Sequence, residues 1–220
     1  MPSTSSQATL AQAAAPLKFY SFALSGHAHR VALMLSLLDV PHQRIDVDLR
    51  QREQKRPEFL ALNAFGQVPV IDDNGVVVAD STAILVYLAK RYGGGAWLPE
   101  DAAGAAAVQR WLSVASGPLA GGPASARLVT LFGAPLDVDA TLARAHALLA
   151  VMESELAQRD FLAGSEPTIA DVACYAYVAH APEGNVSLAD YPRIRAWLSR
   201  IENLPRFVPM ESSPVGLLAA

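Results

Sequence analysis

The sequence predicts a small α/β domain followed by an all-helical one. Short apolar runs with strand-like alternation alternate with helical spacings as far as Tyr92. Within them, Asn74-Gly75 stands between Val70-Ile71 and Val76-Val77-Val78, a strong hairpin signal. After Arg91-Tyr92-Gly93-Gly94-Gly95 the composition changes and only helical spacings recur. At 220 residues, 52% apolar and 17% charged, the chain has room for a sizeable core in one large or two small domains.

In chain order, Leu17-Lys18-Phe19-Tyr20-Ser21 reads as a strand. Leu24-Ser25-Gly26 turns into a helix from about His27 to Leu38, with Val31, Met34, Leu35 and Leu38 on one face, ending before Pro41. Arg44-Ile45-Asp46-Val47-Asp48 alternates as a second strand. A polar stretch then leads to a short helix around Pro57-Ala61, the hairpin, and a helix opening after Asp80-Ser81. In the second half, Val138, Leu142, Ala145, Leu149, Met152 and Leu156 mark a long amphipathic helix. Thr168-Ile169-Ala170-Asp171 is a capping box with Asp in place of Glu, opening an apolar helix through Val178. Ile194, Trp197, Leu198 and Ile201 form a last helix, closed before Pro205. Gly117-Pro118 and Gly121-Gly122-Pro123 require a kink or a stop. The expected organisation is a disordered tail over 1–16, an α/β domain over 17–92, a linker over 93–100 and a helical domain over 101–212.

A net charge of −4 disfavours nucleic acid and anionic membrane surfaces as partners. No apolar run approaches the roughly 20 residues of a membrane span. The Ser-, Ala- and Gln-rich start carries no basic residue before Lys18, unlike a secretory signal. Cys174 is the only cysteine, which excludes an intramolecular disulfide and a dithiol motif. A cytoplasmic protein is expected.

The stretch with most chemical content is Gly66-Gln67-Val68-Pro69-Val70 with Asp80-Ser81. A proline at the mouth of a strand removes a ladder donor and is a candidate cis peptide. It leaves the backbone of Val68 open to an extended peptide ligand. Asp80-Ser81, at the start of a helix, offers a carboxylate for an ammonium group and N–H groups for a carboxylate. The alternative is a plain helix cap after a hairpin.

Together, Asn63-Ala64-Phe65-Gly66-Gln67-Val68-Pro69, Asp80-Ser81-Thr82-Ala83-Ile84, Thr168-Ile169-Ala170-Asp171, Trp197-Leu198 and Leu204-Pro205-Arg206-Phe207 resemble the cytosolic glutathione transferase superfamily, in order and from Leu17 to Phe207. Ser-type members of the theta, zeta, phi and tau kind, as found in bacteria, are most similar. The resemblance implies a thioredoxin-like domain followed by a helical bundle, with glutathione as co-substrate and no metal. It places the cysteinyl residue of glutathione on the backbone of Val68 before a cis Pro69, and the γ-glutamyl head on Asp80 and Ser81. The glycyl carboxylate falls to Gln54 and Lys55, and Gln67 is a further polar contact. Most relatives carry Glu where Asp80 stands, many carry His or Lys for Gln54, and Asn63-Ala64 replaces Asn-Pro.

In Ser-type and Cys-type members the group serving the sulfur lies six positions before the Val of an Arg-Val pair. Arg30-Val31 therefore implies Ser25. A hydroxyl donor at a helix start favours the thiolate, which is the nucleophile. On residue type alone Ser25 is equally an N-cap, and Tyr20 and Ser21 are rivals. His27 stands beside the sulfur pocket; His27 and His29, two apart on a helix, do not face each other as metal ligands would. Serine in place of cysteine disfavours transfer through a protein mixed disulfide, and Cys174 falls inside an apolar helix. Conjugation of glutathione to a hydrophobic electrophile by a homodimeric enzyme is the expected function. A non-catalytic glutathione-binding or partner-binding module of the same fold is the alternative. The electrophile is expected between Phe22, Leu24 and His27 and the region after Trp111, with Ser113, Ser116, Gly117, Leu119 and Arg127 as candidates.

Overall fold

The computed structural model describes residues 16–219. The tail expected over 1–16 lies outside them but for Pro16. Four strands form one sheet: β1 (Leu17–Ser21), β2 (His42–Asp46), β3 (Val70–Asp73) and β4 (Val76–Ala79), in the order β2-β1-β3-β4. β1 and β2 are parallel, joined through α1 (Gly26–Leu37), while β3 runs antiparallel to β1 and to β4. The alternation read in β1 places Leu17, Phe19 and Ser21 inward. β2 starts two residues before the expected Arg44: His42 and Gln43 pair with Leu17 and Lys18, so pairing with β1 extends the strand past its apolar alternation.

The hairpin turn is Asn74-Gly75, with φ of 52° and 93°. Two successive positive φ angles match the twist of the flanking strands, and glycine accepts the larger without a Cβ clash. Asp73 fastens this turn to the sheet's helix. Its carboxylate accepts from the hydroxyls of Tyr87 (2.8 Å) and Tyr92 (2.6 Å), both on α3 (Ser81–Tyr92).

The other half contains α4 (Ala102–Ser116), α5 (Ser125–Phe132), α6 (Val138–Glu155), α7 (Ile169–Ala179) and α8 (Pro192–Glu202); the short α2 (Pro57–Leu60) belongs to the first half. The Gly/Pro interruption after α4 is resolved as a wide π-helical segment, Ala120–Ala124, that runs directly into α5. Pro123 lacks the N–H that a regular helix needs, and the wider turn accommodates it. On α6 the predicted stripe is buried at Ala145, Leu149, Met152 and Leu156, but Val138 at its start is 49% exposed. α7 is buried at every residue from Ile169 to Val178 and packs on α1 and α4, joining the halves in one core.

Its N-terminus is organised by Asp171, which is 1% exposed. Both arms of the capping box form around it, and its carboxylate also accepts from the Leu162 N–H (2.8 Å) and the Trp197 indole (2.9 Å). Burial pushes the Asp171 carboxyl upward, and these donors act against that.

Candidate functional site: a cleft between the sheet domain and the helical domain

A cleft of about 990 Å³ opens where the C-terminal side of the sheet meets α5 and α7. From the first half it is lined by Ser25 and His27 at the start of α1 and by Gln54 and Lys55 in the turn before α2. Gln67, Val68 and Pro69 ahead of β3, and Asp80 and Ser81 at the start of α3, complete that wall. The residues that the sequence reading assigns to the sulfur and to the tripeptide thus all line this one cleft. Tyr20 and Ser21 are not among the lining residues. Tyr20 packs edge-on against Phe59, ring centroids 6.2 Å apart, and Ser21 is 4% exposed within the sheet.

Ser25 is the N-cap of α1, with extended backbone (φ −86°, ψ 112°), and its Oγ accepts from the Ala28 N–H at 3.2 Å. Cap and donor are compatible: the oxygen is anchored by the helix, and the O–H remains to point into the cleft. The N–H groups of Gly26 and His27 have no backbone partner among the described residues, so the helix start presents positive potential there.

The Val68–Pro69 peptide is cis, and the Val68 N–H and C=O make no hydrogen bond among the described residues. The loop before it is stapled by Asn63, whose side chain donates to Gln67 O at 2.8 Å and accepts from the Phe65 N–H at 3.1 Å. Lys55 reaches back to Phe65 O at 3.0 Å. The Gln54 side-chain amide oxygen is buried without a partner among the described residues.

Asp80 sits at φ 74°, a left-handed backbone fixed by its capping. Its Oδ1 accepts from the Thr82 N–H, the Thr82 hydroxyl and the Ala83 N–H, while Oδ2 has no partner among the described residues. Burial pushes this carboxyl up, but those three donors outweigh it and hold it below the ordinary carboxylate range. Ser81 beside it is 2% exposed. Its Oγ lies 3.0 Å from Arg30 Nη1 and 3.2 Å from His27 Nδ1, and Arg30 Nη1 is 2.8 Å from the same His27 nitrogen. A guanidinium only donates, so His27 Nδ1 is an acceptor and the ring proton sits on Nε2.

Arg30 itself is fully buried, with no carboxylate within salt-bridge distance among the described residues. It also donates to Ala115 O on α4 (3.3 Å) and lies over the Tyr177 ring, 5.4 Å from its centroid. Burial, and then the Arg30 charge, lower the His27 pKa to about 4; burial, and then His180, do the same for His29. Both rings are neutral at pH 7 in the fold and have pKa values near 6.5 when unfolded. The unfolded chain therefore binds more protons between those limits. We expect stability to be complete above about pH 6.5 and to fall as the pH drops toward 4. The loss is at most about 3 kcal/mol per histidine, read by denaturant melts across that range. A flat profile would remove the neutral-histidine assignment.

The helical domain contributes a wall that the sequence showed only in part. Arg127 lines the cleft as expected, as do Phe22 and Leu24, but Ser113, Ser116, Gly117 and Leu119 do not. The π-helical segment carries the chain on before the cleft is reached, so Ala120, Ala124, Leu128, Phe132 and Tyr177 line it instead. Arg127 is held in a buried ion pair with Glu183 and donates from Nη1 to Leu24 O at 2.8 Å, bracing the turn that presents Ser25. Tyr177 escaped sequence reasoning because α7 is apolar on every side. Its only signal is Gly26, whose missing Cβ leaves room for the Tyr177 ring. Cys174 is fully buried, and burial pushes its thiol up to about 12. No group of three or more His, Cys, Asp and Glu able to hold a metal occurs among the described residues.

This geometry defines a class: a four-stranded unit with a cis-proline peptide edge, joined to a helical bundle across a shared cleft. Residues 24–91 match the profile "Glutathione S-transferase, N-terminal domain", and residues 132–205 match "Glutathione S-transferase, C-terminal domain". Glutathione S-transferase 3 of Zea mays is 36% identical over 209 residues, covering 88% of this chain and 92% of the maize protein. A disulfide-bond oxidoreductase of Escherichia coli (strain K12) is 28% identical over 194 residues, covering 84% and 89%. The crystal structure of a glutathione S-transferase from Pseudomonas fluorescens superposes with a TM-score of 0.85 at 32% identity, covering 89% of this chain and 99% of that one. The chain belongs to the glutathione S-transferase family, with a thioredoxin-like N-terminal domain and a helical C-terminal domain.

Proposed function

We propose that this chain is a Ser-type glutathione transferase that conjugates reduced glutathione to hydrophobic electrophiles, with Ser25 stabilising the thiolate. The observation that carries this reading is the cleft itself. One wall offers groups for each part of an extended tripeptide, and the other sets Ala120, Ala124, Leu128 and Phe132 beside Arg127 and Tyr177. In this reading Asp80 Oδ2 takes the γ-glutamyl ammonium, and the Ser81 N–H takes the adjacent carboxylate. The buried Arg30 charge behind Ser81 supports an anion there. Val68 pairs with the cysteinyl backbone, with Pro69 shaping that edge. Gln54 and Lys55 face the glycyl carboxylate, Gln67 adds a polar contact, and His27 holds Ser81 from behind.

The sulfur then lies at the start of α1, where the Ser25 hydroxyl and the helix dipole favour the anion. A free thiol of pKa about 8.5 is only a few per cent ionised at neutral pH, and each unit of lowering is worth about 1.4 kcal/mol. The thiolate attacks an electrophilic carbon held against Leu128 and Phe132. Retention on a glutathione column, together with turnover of an aromatic halide or isothiocyanate, tests this reading. Retention without turnover across a broad electrophile panel would favour the non-catalytic binding module. Because one relative is a disulfide-bond oxidoreductase, the same preparation is assayed for disulfide reduction. The inert Cys174 offers no protein thiol for a mixed disulfide.

We further propose a cytoplasmic homodimer. Phe65, 81% exposed at the tip of the loop beside the cleft, is an apolar side chain suited to cover by a second copy. Sedimentation is expected to give twice the chain mass of 23.3 kDa; a species at the single-chain mass would remove the dimer.

A further inference from the structure

We propose that Tyr177 is a second catalytic residue, its hydroxyl donating to the glutathione sulfur alongside Ser25; this rests on the transferase reading above. Tyr177 lies in the last turns of α7, on the helical side of the cleft, and is 7% exposed. Its ring is pressed against the start of α1. A Cβ built on Gly26 would stand 2.7 Å from Tyr177 Cζ, the carbon that bears the hydroxyl. Real Cβ atoms do not approach so closely, so the glycine directly after Ser25 is what lets this phenol reach the helix start. His27 holds the ring edge-on, centroids 5.2 Å apart at 71°, and the Arg30 guanidinium lies over its face.

The Tyr177 phenol oxygen is faced by the His27 backbone N–H, and its own proton has no acceptor among the described residues. Buried hydroxyls are normally partnered, and one left open in a cleft points to an absent acceptor. The acceptor the site provides for is anionic. Two guanidiniums, Arg30 from α1 and Arg127 from α5, act on this ring, and His27 beside it is neutral. Burial raises the phenol's pKa and the two cations and the His27 N–H only partly counter it, so the group stays protonated and can donate. In the reaction the glutathione thiol gives its proton to solvent, and the thiolate forms the S–C bond. As the carbon–halogen bond of an aromatic halide breaks, halide leaves with the electron pair. Tyr177 keeps its proton throughout and stabilises the thiolate by hydrogen bonding.

The test is the pH profile of kcat/KM with an aromatic halide, together with the ultraviolet thiolate absorbance of bound glutathione, for wild type and Tyr177→Phe. We expect the apparent pKa of the bound thiol to rise by roughly one unit in the variant. Near neutral pH, kcat/KM falls about tenfold while KM for glutathione stays within about twofold. An unchanged thiol pKa in an active variant would overturn the proposal and leave Ser25 in place. A wild type with neither thiolate signal nor turnover would overturn the transferase reading and this proposal with it. Should the variant fail to fold, the structure of wild type with glutathione bound decides: a Tyr177 hydroxyl within about 3.3 Å of sulfur upholds the proposal, and one beyond hydrogen-bond reach refutes it.

Discussion

Replacing Ser25 by alanine is expected to lower kcat for glutathione conjugation by about a hundredfold, with KM for glutathione changed by no more than about twofold. Ser25 Oγ is anchored by the Ala28 N–H, so its O–H is a pre-oriented donor. The groups proposed to grip the tripeptide, Val68, Asp80 and Ser81, sit on other elements and are untouched by the change. Alanine also removes an N-cap, at a cost of about 1 kcal/mol. That is too small to unfold the α1 start, because Ala28, Val31 and Met34 are buried in the core. The expected signature is thus a loss in kcat with a shift of the pH–rate profile to higher pH. An unchanged rate would strip Ser25 of its role and return Tyr20 or the buried Ser21 to contention.

The largest structural effect is expected at Asp171. Changing it to asparagine keeps the shape but places an NH2 group among donors. Leu162 N–H, Thr168 N–H and the Trp197 indole all point at its two oxygens. With the carboxylate gone, buried donors lose their acceptor or meet another donor, and the α7 N-terminus comes loose from α8. We expect a loss of about 3–4 kcal/mol, combining broken charge-assisted hydrogen bonds with a lost cap. For a chain of this size that is a fall in Tm of roughly 10 °C. Thermal melts of Asp171→Asn beside wild type measure it; a loss below about 1 kcal/mol would show that the box is a cap and nothing more.

Much of the first half was legible because its signals are local. An Asn-Gly turn requires two positive φ angles, a proline before a β-branched pair marks a strand mouth, and Pro41 forbids the helix to continue. β2 was misplaced by two residues because His42 and Gln43 are polar; what recruits them is pairing with β1, which no alternation announces. The wall proposed to hold glutathione was legible for the same local reason, since its residues lie in short contiguous stretches. The helical wall was not. Leu128 and Phe132 enter the cleft because a π-helical segment redirects the chain, and Tyr177 because Gly26, far away in sequence, leaves it space. A single apolar helix gives no sign of which of its residues will meet a cleft rather than a core.

The setting of Arg30 bears on how such two-part proteins can be recombined. Its guanidinium is solvated, in place of water, by Ser81 and His27 from the sheet side and by the Ala115 carbonyl and the Tyr177 face from the helical side. A chimaera that grafted this sheet half onto an unrelated helical half would keep the charge but lose half of what shelters it. The expected fault is a loss of stability from an unsheltered buried charge, together with weaker capture of the proposed co-substrate's head group. Exchange of modules in this chain therefore has to carry Arg30, Ala115 and Tyr177 as one unit.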